Sequence, residues 1–291
     1  MSSRNTLVVG LAFLGGFFLF LIFLLVIGFF WALKGKPSLP HGEKIGVVEI
    51  KGLISEADAV LEDLRQFAQD ESVKAIIVRI ESPGGAVGAS QEIYRELKKI
   101  AHQKPVIASM GSVAASGGLY VALGAQKIVA APGTLTGSIG VMIQIPNIRK
   151  LLERVGIEAT VLKSGPYKDT GSLLRPLTKE EKRLLMETIR DVYAQFVRAI
   201  AESRGIPEEE VKRFADGRVF TGKKAKELGL VDVLGNFEDA VDLAAKMAGL
   251  KGKPHLLYPE KEKPWLKWLM TKSLAPKGLV LLFAPLYLAE I

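Results

Sequence analysis

Ser116 and Lys168 are the two residues of this chain whose types and surroundings best suit nucleophilic chemistry. Ser116 lies in VAASGGLYVA, where small neighbours permit a tight turn from a strand into a helix and leave the hydroxyl exposed. This pattern is moderately specific, because a serine among small residues is also a common helix cap. A serine hydroxyl is a weak nucleophile and needs a general base within hydrogen-bond reach.

The composition limits which residue can be that base. The chain has no cysteine and three histidines, none of which stands in a metal-ligand spacing or beside a candidate nucleophile. We therefore expect neither a Ser-His-Asp triad nor a metal, and no cofactor. A carboxylate or a neutral lysine remains, and Lys168 in KSGPYKDTGS follows a predicted strand, EATVLK, that should place it near Ser116. The adjacent Asp169 would oppose deprotonation of Lys168 unless its side chain points elsewhere.

Glycine turns supply backbone N–H groups that can stabilise a developing oxyanion, because no side chain blocks their approach. Gly85 in ESPGG and Gly117, directly after Ser116, are the candidate donors. Ser138 in LTGSIGV could orient the lysine amine. Each feature also has an ordinary structural explanation: a strand-to-helix turn for SPGG, and turn capping for Ser138.

The elements that must position these residues follow an alternating pattern of strands and helices. Runs rich in valine and isoleucine end in glycine turns and are followed by helical patterns, which predicts an α/β fold with a mainly parallel sheet. Thr178 and Glu181 form a capping-box pair that begins a long amphipathic helix, and Gly205 should end it. A shorter helix should begin after Thr221 and end near Gly229. The predicted strands are IGVVEI, AIIVRI, PVIASM, KIVAA and EATVLK.

The N-terminal residues 1–33 are predicted to form a transmembrane anchor. No residue from Asn5 to Leu33 is charged, and the 27-residue apolar run beginning at Leu7 would extend about 40 Å as a helix, against about 30 Å of bilayer hydrocarbon. A cleaved signal peptide is the alternative, but the run is too long and lacks an A-x-A-like site. The flanking charges are nearly equal, so they leave the orientation open.

Three further segments complete the organisation: a linker over residues 34–44, a catalytic domain over 45–250, and an apolar and basic tail over 251–291. The net charge of +8 fits an anionic membrane surface, and no nucleic-acid motif accompanies it. Trp265 and Trp268 stand among lysines in the tail. That tail could lie at the membrane surface, at a subunit interface or in a substrate groove.

In this order, the motifs SPGG, GSVAASGGLYVA, TLTGSIGV, SGPYKD and GRVFTGKKAKELGLVD resemble the bacterial signal peptide peptidase A family in its short, one-domain, membrane-anchored form. The resemblance covers the chain from about Ile45 to Gly249, together with the anchor. It implies the Clp/crotonase fold, built from repeated strand-strand-helix units. By motif, the nucleophile falls on Ser116, the base on Lys168, the assisting serine on Ser138, and the oxyanion donors on Gly85 and Gly117.

The resemblance also implies a function: hydrolysis of signal peptides left in the membrane after protein export, through an acyl-enzyme. The single-pass protein would sit in the cytoplasmic membrane with its catalytic domain on the outer face. The expected partners are hydrophobic peptides, membrane lipid and further copies of the chain, which would form a ring- or bowl-shaped homo-oligomer whose subunits each carry a complete dyad.

Three alternatives remain open from the residues. The first is a membrane serine protease of the stomatin-associated type, whose usual C-terminal barrel domain is not apparent here. The second is an acyl-CoA hydratase or isomerase of the crotonase fold, which would need carboxylate bases in the crevice. The third is an anchored scaffold whose glycine turns only close the fold.

Overall fold

The computed structural model describes residues 3–33 and 43–259 of the chain. The predicted linker up to residue 42 and the tail from residue 260 lie outside the described residues. The chain divides into two compact units, residues 1–42 and residues 43–291. The first contains helix α1, Ser3–Leu33, whose residues 14–29 are exposed. Taken over the described residues alone, no helix has the length and apolarity of a membrane span.

The second unit is a mainly parallel sheet with helices packed on it, as the sequence predicts. Its strands run in the order β6-β5-β3-β2-β1-β8, with β4 beside β3 and β7 beside β4. Every strand pair is parallel except β5 with β6. The elements in chain order are β1 Lys44–Lys51, α2 Asp58–Gln69, β2 Val73–Ser82, α3 Val87–Ala101, β3 Val106–Ala115, α4 Gly117–Ala122, β4 Lys127–Ala130, β5 Leu135–Gly137, α5 Arg149–Arg154, α6 Lys179–Arg204, α7 Glu208–Lys212, β6 Val219–Thr221, α8 Gly222–Glu227, β7 Val233–Leu234, α9 Phe237–Met247 and β8 His255–Leu257.

The sheet is buried on both faces, which explains why its strands read as continuous apolar runs. Ile45 and Val47 of β1 pack in one cluster with helix α9, and Val48 and Ile50 pack in a larger cluster on the opposite face with α2, α3, α4 and α6. Successive side chains of a strand point to opposite faces, so one run feeds both clusters. The predicted strands at β1 to β4 are confirmed.

The long helix α6 begins and ends where the sequence predicts. The Thr178 hydroxyl accepts a hydrogen bond from the Glu181 N–H at 3.1 Å, and the Glu181 carboxylate accepts one from the Thr178 N–H at 2.8 Å. Gly205 ends the helix in the left-handed region at φ 65°, which glycine adopts without strain. The shorter helix after Thr221 is confirmed as α8.

Strand β3 bends before it reaches Ser116. Its first half pairs with β4 and its second half with β5, and its register against β2 shifts between Ile80 and Ser82. At the shift, the Glu81 carboxylate accepts hydrogen bonds from the N–H groups of Ser112 (2.8 Å) and Val113 (3.2 Å). The Glu81 side chain thus takes the place of the backbone partner that β2 does not supply there. These two bonds hold the part of β3 that leads to Ser116.

The predicted strand EATVLK is wrong. Residues 158–163 form no strand, and each of them is exposed. A strand needs a paired neighbour for its N–H and C=O groups, and the segment pairs with none of the described strands. It belongs to a longer stretch, residues 141–178, that we call the exposed segment; its helix α5 has no buried residue.

Candidate active site

Ser116 occupies a strained turn between β3 and α4. Its backbone has φ 52° and ψ −119°, and among the non-glycine residues that the structure describes only Ser138 shares a positive φ. The Ser116 N–H donates to the Gly137 carbonyl at 2.8 Å, and the Ser116 carbonyl accepts from the Tyr120 N–H at 2.9 Å. Such a conformation costs about 1–3 kcal/mol and is typical of functional sites. The turn leaves Ser116 half-buried at the carboxyl end of β3.

The glycine turn after β2 lies directly against this serine. A Cβ on Gly84 would stand 2.7 Å from the Gly117 nitrogen and 2.9 Å from the Ser116 Cβ. A Cβ on Gly117 would stand 2.5 Å from the Ser90 Oγ. Real Cβ atoms do not approach so closely, so only glycine at these positions allows the two turns to meet.

Two backbone N–H groups at this meeting point have no acceptor among the residues that the structure describes. The Ile54 N–H donates to the Gly84 carbonyl at 2.9 Å and the Ala86 N–H donates to the Ile54 carbonyl at 2.7 Å, which leaves the Gly85 N–H unused between them. The Gly117 N–H heads α4 and has no acceptor within the described part of the chain. A substrate carbonyl oxygen beside Ser116 could accept from both.

An apolar pocket opens beside Ser116, with an empty volume of about 310 Å³ that includes space open to solvent. Its floor is aromatic: the Tyr120 ring packs against Phe196 at 4.9 Å between centroids and against Tyr94 at 5.1 Å. Burial raises the pKa of the Tyr120 hydroxyl. The lining includes Gly85, Val87, Ser116, Gly117, Val192 and Phe196. No carboxylate lines it among the described residues, so it suits an apolar group.

Ser138 directly follows Gly137, whose carbonyl accepts the hydrogen bond from the Ser116 N–H. It is half-buried with φ 52°, and its N–H donates to the Arg218 carbonyl at 2.8 Å. Because the preceding Gly137 accepts the Ser116 N–H, the backbones of the two serines are neighbours. Ser138 does not line the pocket.

Lys168 lies in the exposed segment, in a turn over residues 166–170. Its N–H donates to the Gly165 carbonyl at 3.3 Å, its side chain is exposed, and it does not line the pocket. The structure therefore brings together Ser116, Gly85 and Gly117, with Ser138 adjacent in the backbone. It does not bring Lys168 into the pocket of the single chain.

The sequence does not predict a charged network that lies next to Lys168. The Arg175 guanidinium donates to both carboxylate oxygens of Asp169, from Nε and Nη2 at 2.8 Å each, and from Nη1 to the Glu181 carboxylate at 2.8 Å. These bonds hold the pKa of both carboxyls well below their usual range. The alternation K-D, R, E over residues 168–181 was its only signal in the sequence.

Among the described residues, no group of three His, Asp or Glu side chains could hold a metal ion. The site consists of a serine hydroxyl on a strained backbone turn, two amide donors beside it and an apolar pocket, all carried by a mainly parallel α/β fold. These features are those of a serine hydrolase site.

Comparison with known proteins identifies the family of hydrolases to which the chain belongs. Residues 98–251 match the model of peptidase family S49. The chain is 49% identical over 210 residues to "Putative protease slr0021" of Synechocystis sp., covering 72% of this chain and 76% of that protein. It is 38% identical over 187 residues to "Putative signal peptide peptidase SppA" of Enterococcus faecium, covering 64% of this chain and 54% of that protein.

The chain therefore belongs to peptidase family S49 and is a serine peptidase, as the motifs predict. Some relatives are much longer: the chain covers 39% of Protease 4 from Salmonella typhi, at 38% identity. A solved structure, a membrane-bound stomatin-specific protease, aligns with a TM-score of 0.51 at 17% identity, covering 76% of this chain and 99% of that one. This likeness supports the fold.

Proposed function

We propose that this chain is a membrane-anchored endopeptidase that hydrolyses signal peptides left in the membrane after protein export. Ser116 is the nucleophile and Lys168 the general base in this proposal. The observation that carries it is the strained Ser116 turn, which stands beside the unused N–H groups of Gly85 and Gly117. Strain at that residue has a use only if the hydroxyl must be held at a fixed place.

The reaction proceeds through an acyl-enzyme. The neutral Lys168 amine takes the hydroxyl proton as the Ser116 oxygen attacks the peptide carbonyl carbon, and the carbonyl oxygen becomes an oxyanion held by the Gly85 and Gly117 N–H groups. The C–N bond then breaks, and the leaving amine takes the proton back from Lys168. The same lysine deprotonates a water that attacks the ester carbonyl. The ester C–O bond then breaks, and the Ser116 oxygen takes the proton from Lys168, which restores the hydroxyl and the neutral amine. Ser138 orients the lysine amine.

The pocket beside Ser116 gives the substrate preference. Its walls are apolar and aromatic, and it lacks a charged group among its described lining residues, so a small or medium apolar side chain next to the cleaved bond binds best. Signal peptides are rich in such side chains. The same lining gives no support to an acyl-CoA hydratase or isomerase, because that reaction needs carboxylate bases at this place.

The Lys168 amine must reach the Ser116 hydroxyl, and we propose that assembly of several subunits brings it there. The exposed segment, residues 141–178, carries large apolar side chains in contact with solvent, of which Leu162 is 94% exposed and Met142 80% exposed. Exposed apolar surface of this extent is typical of an interface between subunits. In the ring or bowl, this segment would pack on a neighbouring copy and fix the Lys168 turn.

The anchor rests on the sequence of α1. From Asn5 to Leu33 the segment has no charge, and a helix of that length is long enough for a bilayer. A single-pass anchor in the cytoplasmic membrane, with the catalytic domain on the outer face, brings the site to its substrates. Alkaline extraction of membranes and protease accessibility in intact cells test it: release by alkali or protection from the protease would contradict it.

The function itself is tested with synthetic signal peptides and a serine-directed fluorophosphonate probe. We expect the wild type to cleave the peptides and to be labelled by the probe, while Ser116→Ala does neither and Lys168→Met does not turn over. Labelling that persists in Ser116→Ala would identify another nucleophile. Peptidase activity retained in Lys168→Met would eliminate the lysine as the base.

The second candidate is a protease that acts on stomatin-like proteins, and the structural likeness to a stomatin-specific protease favours it. The two candidates differ only in substrate. A competition assay containing both a signal peptide and a peptide from a stomatin C-terminal region separates them by the ratio of kcat/KM values. Preference for the stomatin peptide would replace the first proposal with the second.

A further inference from the structure

Arg175 joins the turn that carries Lys168 to the start of helix α6. Arg175 uses its planar fork on the Asp169 carboxylate and its remaining N–H groups on the Glu181 carboxylate. Bidentate pairs of this kind fix geometry as well as charge, which a lysine cannot do. Asp169 follows Lys168 directly, so the fork fixes the backbone within one residue of the amine.

The other end of this network is anchored in the helix. Glu181 is 1% exposed, and its carboxylate also accepts from the Thr178 N–H at 2.8 Å and from the Thr170 hydroxyl at 3.1 Å. It lies in the first turn of α6, whose later residues Phe196, Val197 and Ile200 belong to the main core. The Lys168 turn is therefore tied through Arg175 to a helix that packs in the main core.

The network also determines which cations the Asp169 carboxylate contacts. Asp169 Oδ1 accepts from the Lys163 Nζ at 2.6 Å, in addition to its two bonds with Arg175. Both oxygens are thus occupied by cations other than Lys168. A carboxylate free to contact the Lys168 amine would stabilise the ammonium form and weaken the base.

We infer that Arg175 is a positioning residue of the peptidase: it docks the Lys168 turn onto α6 and withholds the Asp169 carboxylate from the Lys168 amine. This inference rests on the proposed function, because Arg175 acts here only through Lys168. Arg175 itself touches no reacting atom in this account.

The charges of this network predict the sign of the effect. Lys163 and Asp169 come from the loop, Arg175 from the turn that follows it, and Glu181 from α6. Glu180, also in the first turn of α6, pairs with Arg183 at 2.6 Å. The first four charges sum to zero, and removal of Arg175 leaves a net negative cluster with an unclamped Asp169. A negative charge favours the protonated lysine, so the amine becomes neutral only at higher pH.

The test is the pH dependence of kcat/KM for a fluorogenic apolar peptide, measured on the full-length protein in detergent. Activity that needs a neutral lysine rises with pH through the pKa of that lysine in the free enzyme. In Arg175→Met we expect this rise to move up by about 1 pH unit, which corresponds to about a tenfold loss below the rise. In the double variant Asp169→Asn/Arg175→Met the rise should move back towards that of the wild type, although the ion pairs are still missing.

The double variant separates positioning from folding. If Arg175 were only a structural residue, both variants would lose activity and neither would move the pH of the rise; that result would overturn the inference. Arg183→Met, the control, removes an exposed arginine from helix α6 and should leave the pH profile unchanged. If Arg175→Met does not fold, Arg175→Lys carries the test, with a smaller upward shift expected and no shift overturning the inference.

Failure of the proposed function gives a different result. Lys168→Met would then keep its turnover, whatever Arg175 does. With Lys168 essential and the pH of the rise unmoved in every Arg175 variant, the proposed function stands and the positioning role is wrong.

Discussion

The two halves of the proposed site differ in what holds them. Ser116 and the turn over Gly84 and Gly85 are fixed by the paired strands that precede them, by backbone hydrogen bonds and by contacts so close that a Cβ would overlap. The Lys168 turn lies in the exposed segment and is tied down by ion pairs on one side of the helix α6. The nucleophile half is thus built from backbone contacts within one chain, whereas side chains make the link between the Lys168 turn and α6.

This difference teaches that the two halves should respond to different perturbations. The nucleophile half should fail when backbone geometry changes, because its donors and its serine are parts of the main chain. The base half should fail when charge or assembly changes. Each prediction below separates the halves along this line.

The largest effect is expected from removing either half. Ser116→Ala and Lys168→Met should each lower kcat by about 10³-fold or more, since such residues act as a unit. Mixing the two inactive proteins tests whether the dyad forms within one subunit or between two. With a complete dyad in each subunit, refolded mixtures stay inactive, and recovered activity would assign the base to a neighbouring copy.

The backbone of the nucleophile half is tested by Gly117→Ala. The added Cβ would stand 2.5 Å from the Ser90 Oγ and 3.2 Å from the Gly85 nitrogen, so even if the Ser90 hydroxyl rotates away it crowds the space between the two amide donors. We expect a loss of about 10²–10³-fold in kcat, the cost of losing one such donor. Gly88→Ala is the matched control, because a Cβ there meets nothing within 4 Å. Equal losses in both variants would remove the argument for precise packing at Gly117.

The strain at Ser116 gives a smaller effect on stability. Ser116→Gly relieves a positive φ, whereas Ser116→Ala retains it, so the glycine variant should be more stable by about 1–2 kcal/mol. Chemical denaturation of the two inactive variants measures the difference directly. A glycine variant less stable than the alanine variant would mean that the turn is not strained.

Assembly of the base half is tested at Leu162. A charge on this 94% exposed side chain should cost little in a single chain but would be buried in an interface, so Leu162→Glu should dissociate the oligomer in analytical ultracentrifugation. Leu162→Met keeps the side chain apolar and should leave assembly intact. If Leu162→Glu assembles normally, the exposed segment is not the interface.

Acid should act on the base half through its carboxyls. The pKa values of Asp169 and Glu181 are lowered in the folded state, so their contribution to stability is present above their ordinary values, about 3.9 and 4.3, and is lost as pH falls through the lowered ones. Glu181→Gln should therefore show a shallower decline of Tm below about pH 4 than the wild type. The exposed Glu153→Gln should decline as the wild type does.

Much of the fold could be predicted from local pattern. The runs of β1 to β4, the capping box of Thr178 with Glu181, and the stop at Gly205 all lie where the sequence predicts. These signals are local: a side chain that caps its own helix, or an apolar run long enough to be buried on both faces. EATVLK failed because an apolar run forms a strand only where a sheet edge is available.

The sequence by itself determined the elements of this serine peptidase and its candidate residues, because cap chemistry, glycine turns and apolar periodicity act over a few positions. Only the tertiary structure decided that the Gly84–Gly85 turn meets Ser116, that two amides there stay unpaired, and that Asp169 turns to Arg175. Those outcomes depend on residues distant in the chain, whose approach is set by how the strands and helices pack.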